Sequence, residues 1–258
     1  EAPTPLAKGA ILEVNGQMLA SLAAQCGAEP RIFRPVPNVI DELQGVLKDT
    51  LAGGCDLVLV IAGSSAGSED FTPSLLESIG ELLIHGIAVM PGKPALLAAV
   101  EGKPVIGVPG YPVSAAVAFR ELARPLLYLM QGLAPPAQSA VEVTVGRKIP
   151  SKLGLEEHVR VILGNVGGKK VAIPLQGGAG VITSLVRADG VIRIPQELSG
   201  LSEGEKATAE LLGPPEVTGE SLVAIGSHDM TIDLLGSLLK EKTGGRVHIS
   251  SNNVGSLG

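Results

Sequence analysis

Two short turns in the middle of the chain carry side chains suited to an anion. The turns read PGKP (91–94) and PGYPVS (109–114), and they present Lys93 and Ser114. Proline restricts the backbone while glycine permits a positive φ, so such turns are stiff. An ammonium held in a stiff turn suits an oxyanion, and the first turn of a helix favours anions. We interpret the turns as two walls of a site. A solvated lysine and an ordinary helix start are the alternatives.

A third loop, AGSSAGSED (62–70), directly follows the apolar run DLVLVIA (56–62). Ligands of open α/β sheets bind outside the carboxyl ends of the strands. Glycines allow close backbone approach, serines add hydroxyls, and a carboxylate with phosphate oxygens suits Mg²⁺. We therefore predict a phosphate and magnesium site here, with a plain turn as the alternative. Its residues are Gly63, Ser64, Ser65, Gly67 and Asp70.

The elements that must position these loops alternate between helix and strand. Helical spacing predicts helices over 15–27, with Asn15 as its cap and Gly27 as its stop, and over 39–53. Strands are predicted at 30–36 and 56–62. We predict further strands or a hairpin at 84–89 and 95–108, followed by a long helix over 112–130. Together these elements form an α/β domain. We expect a parallel or mixed sheet with helices on both faces.

The pattern changes after the linker at 132–140. Short strands separated by turn residues predict a small all-β barrel or sandwich up to residue 213. A second linker at 213–220 leads to a strand, a helix and another strand, too short to bury an apolar face alone. The predicted domains are 1–133, 138–213 and 220–258.

Composition and charge exclude several classes of function. The net charge is −6 and the pI is about 5.3, which argues against nucleic acid and anionic membranes as partners. No apolar run approaches the roughly 20 residues of a membrane span, and no signal peptide is visible, so we expect a cytoplasmic protein. Cys26 and Cys55 have no metal spacing and read as small core residues. The four histidines also lack a zinc pattern.

Five segments together resemble one known family. AGSSAGSEDFT, HGIAVMPGKP, GKPVIGVPGYPVSA, LEEHVRV and ITSLVRADGVIRIP are similar to the molybdenum insertases, the family of molybdopterin molybdenumtransferase that includes MoeA and the gephyrin E-domain. The resemblance covers about residues 5–212. It implies a molybdopterin-binding α/β domain followed by a β-barrel. The C-terminal GSHDMTIDLL and SSNNVGSLG resemble the truncated start of a periplasmic-binding-protein-like domain.

The resemblance also implies a reaction and its residues. Family members insert molybdate into adenylylated molybdopterin and release AMP, with Mg²⁺, as homodimers. Asp70 and Lys93 match catalytic positions, and Asp70 also matches the magnesium ligand. The implied substrate-binding residues are Gly63, Ser64, Ser65, Gly67, Pro94, Pro109, Gly110, Ser114 and Ser184.

Several positions depart from the family pattern. Met90 replaces a lysine, Tyr111 and Asn38 replace an asparagine and an aspartate, and Leu155 replaces an arginine, whereas Glu157 and Arg160 are kept. We also expect the family's first strand and its two preceding domains to be missing from this chain. These departures keep open a sensor that binds molybdopterin or molybdate without turnover. The adenylyltransferase that precedes insertion is a third possibility, although it lacks the β domain.

Overall fold

A computed structural model describes residues 13–37, 39–62, 71–175, 177–213, 222–226, 230–243 and 247–251. The chain divides into two compact units. The first comprises Glu1–Ile87 and Pro91–Pro136, and the second comprises Ala88–Met90 and Ala137–Gly258.

The first unit is mixed α/β. In chain order, its first elements are α1 (Asn15–Gln25), α2 (Ile40–Ala52), β1 (Val58–Ala62), α3 (Thr72–Ile79) and β2 (Glu81–His85). After the short β3 (Val89–Met90), which belongs to the second unit, come β4 (Leu96–Val100), β5 (Lys103–Pro109) and α4 (Pro112–Ala118). The predicted helices over 15–27 and 39–53 and the apolar strand after them are thus confirmed, with slightly shorter bounds.

The sheet of this unit has the strand order β1-β5-β4-β2. β1 and β5 are parallel, while the β5–β4 and β4–β2 pairs are antiparallel. Successive residues of β5 enter different cores, since Ile106 packs with Leu19 of α1 and Val105 packs with Leu51 of α2. The sheet is therefore mixed and has a core on each face.

Two local predictions in this unit were wrong. Residues 31–36 form no strand, and Ile32 and Phe33 are 55 % and 53 % exposed. A strand needs a partner for its backbone groups, and no strand in the described ranges pairs with this segment. Asn15 is not the cap of α1. Val14 occupies that position, and the Asn15 side chain bonds elsewhere.

The long helix predicted over 112–130 is present but contains a π-helical turn. α4 continues through the π turn Phe119–Ala123 into α5 (Arg124–Met130). Pro125 is the second residue after this turn. Proline has no amide proton and its ring crowds the preceding turn of helix, so a widened turn beside it relieves both problems.

The second unit contains the predicted β-barrel. Its strands are β6 (Ala140–Val145), β7 (Ile149–Pro150), β8 (Glu156–Val166), β9 (Lys169–Pro174), β10 (Gly190–Ile194), β11 (Gly200–Leu201) and β12 (Lys206–Leu211), and α6 (Thr183–Arg187) lies between β9 and β10. The order β10-β12-β6-β9-β8 closes because β8 also pairs with β10. β3 joins the start of β8 as a sixth strand. Alternate residues such as Val161 and Leu163 fill the core.

The C-terminal segment follows the predicted order of strand, helix and strand. β13 (Leu222–Gly226) and β14 (Val247–Ser251) form a parallel pair joined by α7 (Met230–Thr243). Its resemblance to a periplasmic-binding-protein-like domain stays a prediction. None of the helices within the described ranges has the length and apolar character needed to cross a membrane.

A charge network on the barrel makes its stability depend on pH. The Glu156 carboxylate contacts His158 Nε2 at 2.6 Å and Arg193 Nη1 at 3.1 Å. Burial alone would raise the pKa of the Glu156 carboxyl, but the hydrogen bond and charge of His158 and the charge of Arg193 outweigh it, so the pKa is lowered.

We expect the Glu156 contribution to stability to disappear in acid. Because the pKa of Glu156 is lower in the folded state, its ionised carboxylate stabilises the fold at pH values above the unfolded pKa of 4.5. This stabilisation is lost as the pH falls through the folded-state pKa. Urea unfolding of wild type and Glu156→Gln across this range measures the effect. The two stabilities should converge as the pH falls. A constant difference at every pH would contradict the assignment.

Candidate active site

Three segments of the first unit meet at one edge of its sheet. Ala62, the last residue of β1, lies opposite Pro109, the last residue of β5. β4 runs antiparallel to β5 and begins with Leu96 opposite Gly107, so the turn that precedes β4 lies at the same edge. The structure therefore brings together the end of β1 and the turns at 91–94 and 109–114. Sequence reasoning interpreted these two turns as two walls of one site.

The turn at 91–94 is held by its backbone. Ala95 N donates to Gly92 O at 3.0 Å, and Ile87 N donates to Lys93 O at 2.9 Å. Gly92 has a φ of +123°, and a Cβ at this position would lie 3.2 Å from Val117 Cγ1. Glycine is thus required both by the backbone conformation and by the close approach of α4. Lys93 and Pro94 project from this fixed turn and are exposed.

The turn at 109–114 is fixed from two sides. Asn15 Nδ2 donates to Gly110 O at 2.7 Å, which ties the start of α1 to the turn. Ala115 N donates to Tyr111 O at 2.8 Å and begins the helix. The Gly92 Cβ position is also 3.7 Å from Ser114 O, so the two turns are neighbours. Lys93 and Ser114 therefore belong to adjacent, rigid segments of one edge.

The predicted residues of this edge differ in accessibility. Gly110 is exposed, like Lys93 and Pro94, whereas Pro109 is buried and Ser114 is only 5 % exposed. Tyr111, which departs from the family pattern, is 61 % exposed. Asn38, another position that departs from the family pattern, lies outside the described residues. The residues predicted to bind phosphate and magnesium in the loop at 62–70 also lie outside them: Gly63, Ser64, Ser65, Gly67 and Asp70.

In the second unit, Ser184 lies on the short helix α6 and is 3 % exposed. Its Oγ donates to Val181 O at 2.6 Å, so the hydroxyl keeps only its acceptor capacity. Met90 lies in β3 opposite Glu157 of β8. A substrate-binding role for Ser184 stays a prediction.

Metal-ligating side chains do not cluster in the described part of the chain. No group of three or more His, Cys, Asp or Glu residues there could hold a metal ion. Cys26 is a buried free thiol whose pKa is raised by burial, as expected of a core residue and not of a nucleophile.

Comparison with known proteins gives matches to both units. A probable molybdopterin binding domain matches residues 4–128. The MoeA C-terminal region, called domain IV, matches residues 142–212 and so covers the closed barrel. The chain thus combines a probable molybdopterin binding domain with a MoeA C-terminal region.

Individual MoeA relatives are distant. A putative molybdopterin biosynthesis protein of Methanocaldococcus jannaschii is 30 % identical over 208 residues, which is 79 % of this chain and 48 % of the relative. The molybdopterin molybdenumtransferase of Haemophilus influenzae is 32 % identical over 161 residues, 60 % of this chain and 39 % of the relative. The chain thus spans about half the length of these relatives, or less.

A solved structure supports the same fold. The molybdopterin biosynthesis MoeA protein from Pyrococcus horikoshii superposes with a TM-score of 0.69 at 29 % identity. The match covers 83 % of this chain and 51 % of that one. The α/β fold and the barrel expected from the sequence resemblance are therefore confirmed.

Sequence reasoning missed what Asn15 does at this MoeA-like edge. Asn15 is 5 % exposed, and its hydrogen bond to Gly110 joins residues 95 positions apart. Its Oδ1 is buried without a hydrogen-bond partner in the structure. A residue placed at a helix start suggested only a cap, and no local pattern reveals a bond over such a distance.

We expect Asn15→Ala to lower the free energy of unfolding by about 1 kcal/mol, because the hydrogen bond from its buried side chain to Gly110 O is lost. Urea unfolding measures this change. Asn165→Ala is the matched control, since Asn165 is exposed near the end of β8 and should change stability little. Equal effects of the two substitutions would show that the Asn15–Gly110 bond does not hold the turn.

Proposed function

We propose that the chain carries out the reaction of a molybdopterin molybdenumtransferase. In this reaction molybdate is inserted into adenylylated molybdopterin and AMP is released. The observation that carries the proposal is the convergence of the turns at 91–94 and 109–114 at the edge where β1 ends. This edge presents an ammonium and a helix start to an anionic ligand.

Each part of the edge has a physical role in this proposal. The backbone bonds around Gly92 fix where the Lys93 ammonium can reach, which limits the reorganisation needed to meet a negative charge. The Asn15 bond fixes the Gly110 turn, which faces the same ligand. The reaction then depends on positioning and charge stabilisation, without a covalent nucleophile.

Asp70 is the one side chain that we expect to bind magnesium. A magnesium ion would be held by Asp70, the ligand that the resemblance implies, together with oxygens of the substrate. This fits Mg²⁺, which binds through one or two carboxylates plus phosphate and keeps several waters. The ion would supply positive charge near the phosphates.

A homodimer and a cytoplasmic location belong to the same proposal.

Binding without turnover is the second candidate function. It is favoured by Met90 and Leu155, which place apolar side chains where the resemblance expects a lysine and an arginine. Both losses remove positive charge that would act on an oxyanion. The adenylyltransferase alternative has less support, because residues 142–212 match the MoeA C-terminal region.

The deciding experiment uses the full chain of 258 residues. Binding of adenylylated molybdopterin is measured by calorimetry, and AMP release is then followed with and without molybdate in the presence of Mg²⁺. Release that depends on molybdate supports the transferase. Binding without release supports the sensor, and absence of pterin binding would refute the transferase and any sensor of the pterin.

A further inference from the structure

Tyr111 carries the most exposed aromatic ring of the chain. The sequence contains only two tyrosines, three phenylalanines and no tryptophan. Tyr111 is 61 % exposed and Phe33 is 53 % exposed, while the other three rings are buried or half-buried. The most accessible ring of a chain that is poor in aromatic residues therefore lies in the turn at 109–114, at the edge where we expect the ligand.

The backbone around Tyr111 is held in place on both sides. Pro112 follows it, and a residue before proline is restricted to extended conformations, in agreement with the Tyr111 φ of −78° and ψ of 130°. Tyr111 O accepts a hydrogen bond from Ala115 N, and Gly110 O accepts one from Asn15 Nδ2. Only the two side-chain torsions remain free, so ordering the ring against a ligand costs little conformational entropy.

A second accessible apolar side chain lies near this edge. Ile61 is the second-last residue of β1, opposite Val108 of β5, and it is 37 % exposed. Tyr111 follows the end of β5 by two residues, so both side chains belong to the ends of adjacent parallel strands. Lys93 lies on the neighbouring turn. The edge thus combines apolar groups with an ammonium, which suits a ligand that has a flat ring and a negative charge.

We propose that the Tyr111 ring stacks on the planar heteroaromatic ring of the substrate and contributes to the affinity of this edge for ring-containing ligands. Aromatic rings stack in an offset arrangement, and the contact stabilises binding beyond the area that it buries. The inference rests on the proposed function, because adenylylated molybdopterin offers two such rings, the pterin and the adenine. The asparagine that the resemblance expects at this position has no ring, so the departure changes what this edge can bind.

The first test observes the ring directly in the full chain. With isotope-labelled tyrosine, NMR shows the signals of only two rings, those of Tyr111 and Tyr128. Pterin, AMP and adenylylated molybdopterin are added separately, and inorganic phosphate serves as the probe without a ring. Stacking should shift the Tyr111 signals, because the ring current of the bound heterocycle shields them, and Tyr128 should stay unchanged. A shift with pterin alone or with AMP alone assigns the ring that Tyr111 contacts.

The second test measures affinity by calorimetry with the same probes. Tyr111→Ala and Tyr111→Asn should weaken binding of the ring about tenfold, whereas Tyr111→Phe, which keeps a ring, should retain it. Tyr128→Phe is the matched control, because Tyr128 is a half-buried tyrosine of α5 that packs against the core of the first unit. The Tyr111 variants should keep the wild-type Tm, since the ring is exposed and the turn is held by backbone groups.

Kinetics of AMP release separate this inference from the proposed function. A stacked ring that takes no part in bond making is bound equally in the ground and transition states, so Tyr111→Ala should raise KM about tenfold and leave kcat unchanged. Tyr111-dependent binding without AMP release would refute the transferase and keep the stacking contact. AMP release with an unchanged KM in Tyr111→Ala would refute the contact and keep the transferase. Tyr111 signals that none of the ring-containing probes shifts would also overturn the inference.

Discussion

Replacing Lys93 with alanine is expected to lower molybdate-dependent AMP release by about a hundredfold. The ammonium projects from a turn whose backbone is fixed at Gly92 and Lys93, so no other group at that turn can take its place. Removing one preorganised donor from a site that stabilises developing charge typically reduces kcat by about 10²–10³. Steady-state kinetics of AMP release give kcat and KM for the comparison.

The control for this prediction is Lys48→Ala, which removes an exposed lysine from α2. Both variants should unfold at the wild-type temperature, because neither side chain is buried. A Lys93→Ala protein with normal AMP release would remove Lys93 from the reaction. Normal pterin binding with reduced release would assign the lysine to the chemical step.

Replacing Gly200 with alanine is expected to lower the free energy of unfolding by more than about 3 kcal/mol. A Cβ at Gly200 would lie 2.1 Å from Ile149 O and 3.0 Å from Pro150 Cα, where β11 pairs with β7. Its φ of +139° is also unfavourable for any side chain. Both clashes are with backbone, so a rotamer change cannot relieve them. Urea unfolding of the two proteins measures the loss.

Gly204→Ala separates the clash from the backbone conformation. Gly204 has a φ of +82°, but a Cβ there has no atom within 4 Å. Only the conformational penalty of about 1–2 kcal/mol should remain. A loss at Gly204 as large as that at Gly200 would show that backbone conformation, and not the approach of β7, limits this position.

Much of the fold was predictable because its signals are local. The apolar run before the first loop, the helical spacing of α1 and α2, and the alternating short strands of the barrel each reflect periodic burial. The strand predicted at 30–36 failed because strand formation depends on a partner elsewhere in the chain. The π turn before Pro125 was also missed, although proline offered a signal for it.

The sequence by itself determined which residues could meet an anion and which turns would be stiff. At 91–94, proline restricts the backbone, glycine permits the positive φ of the turn, and lysine supplies the charge. Only the tertiary structure decided that this turn lies beside the one at 109–114 and that Asn15 supports Gly110. Pairing and burial depend on residues far apart in the chain, and no local pattern encodes them.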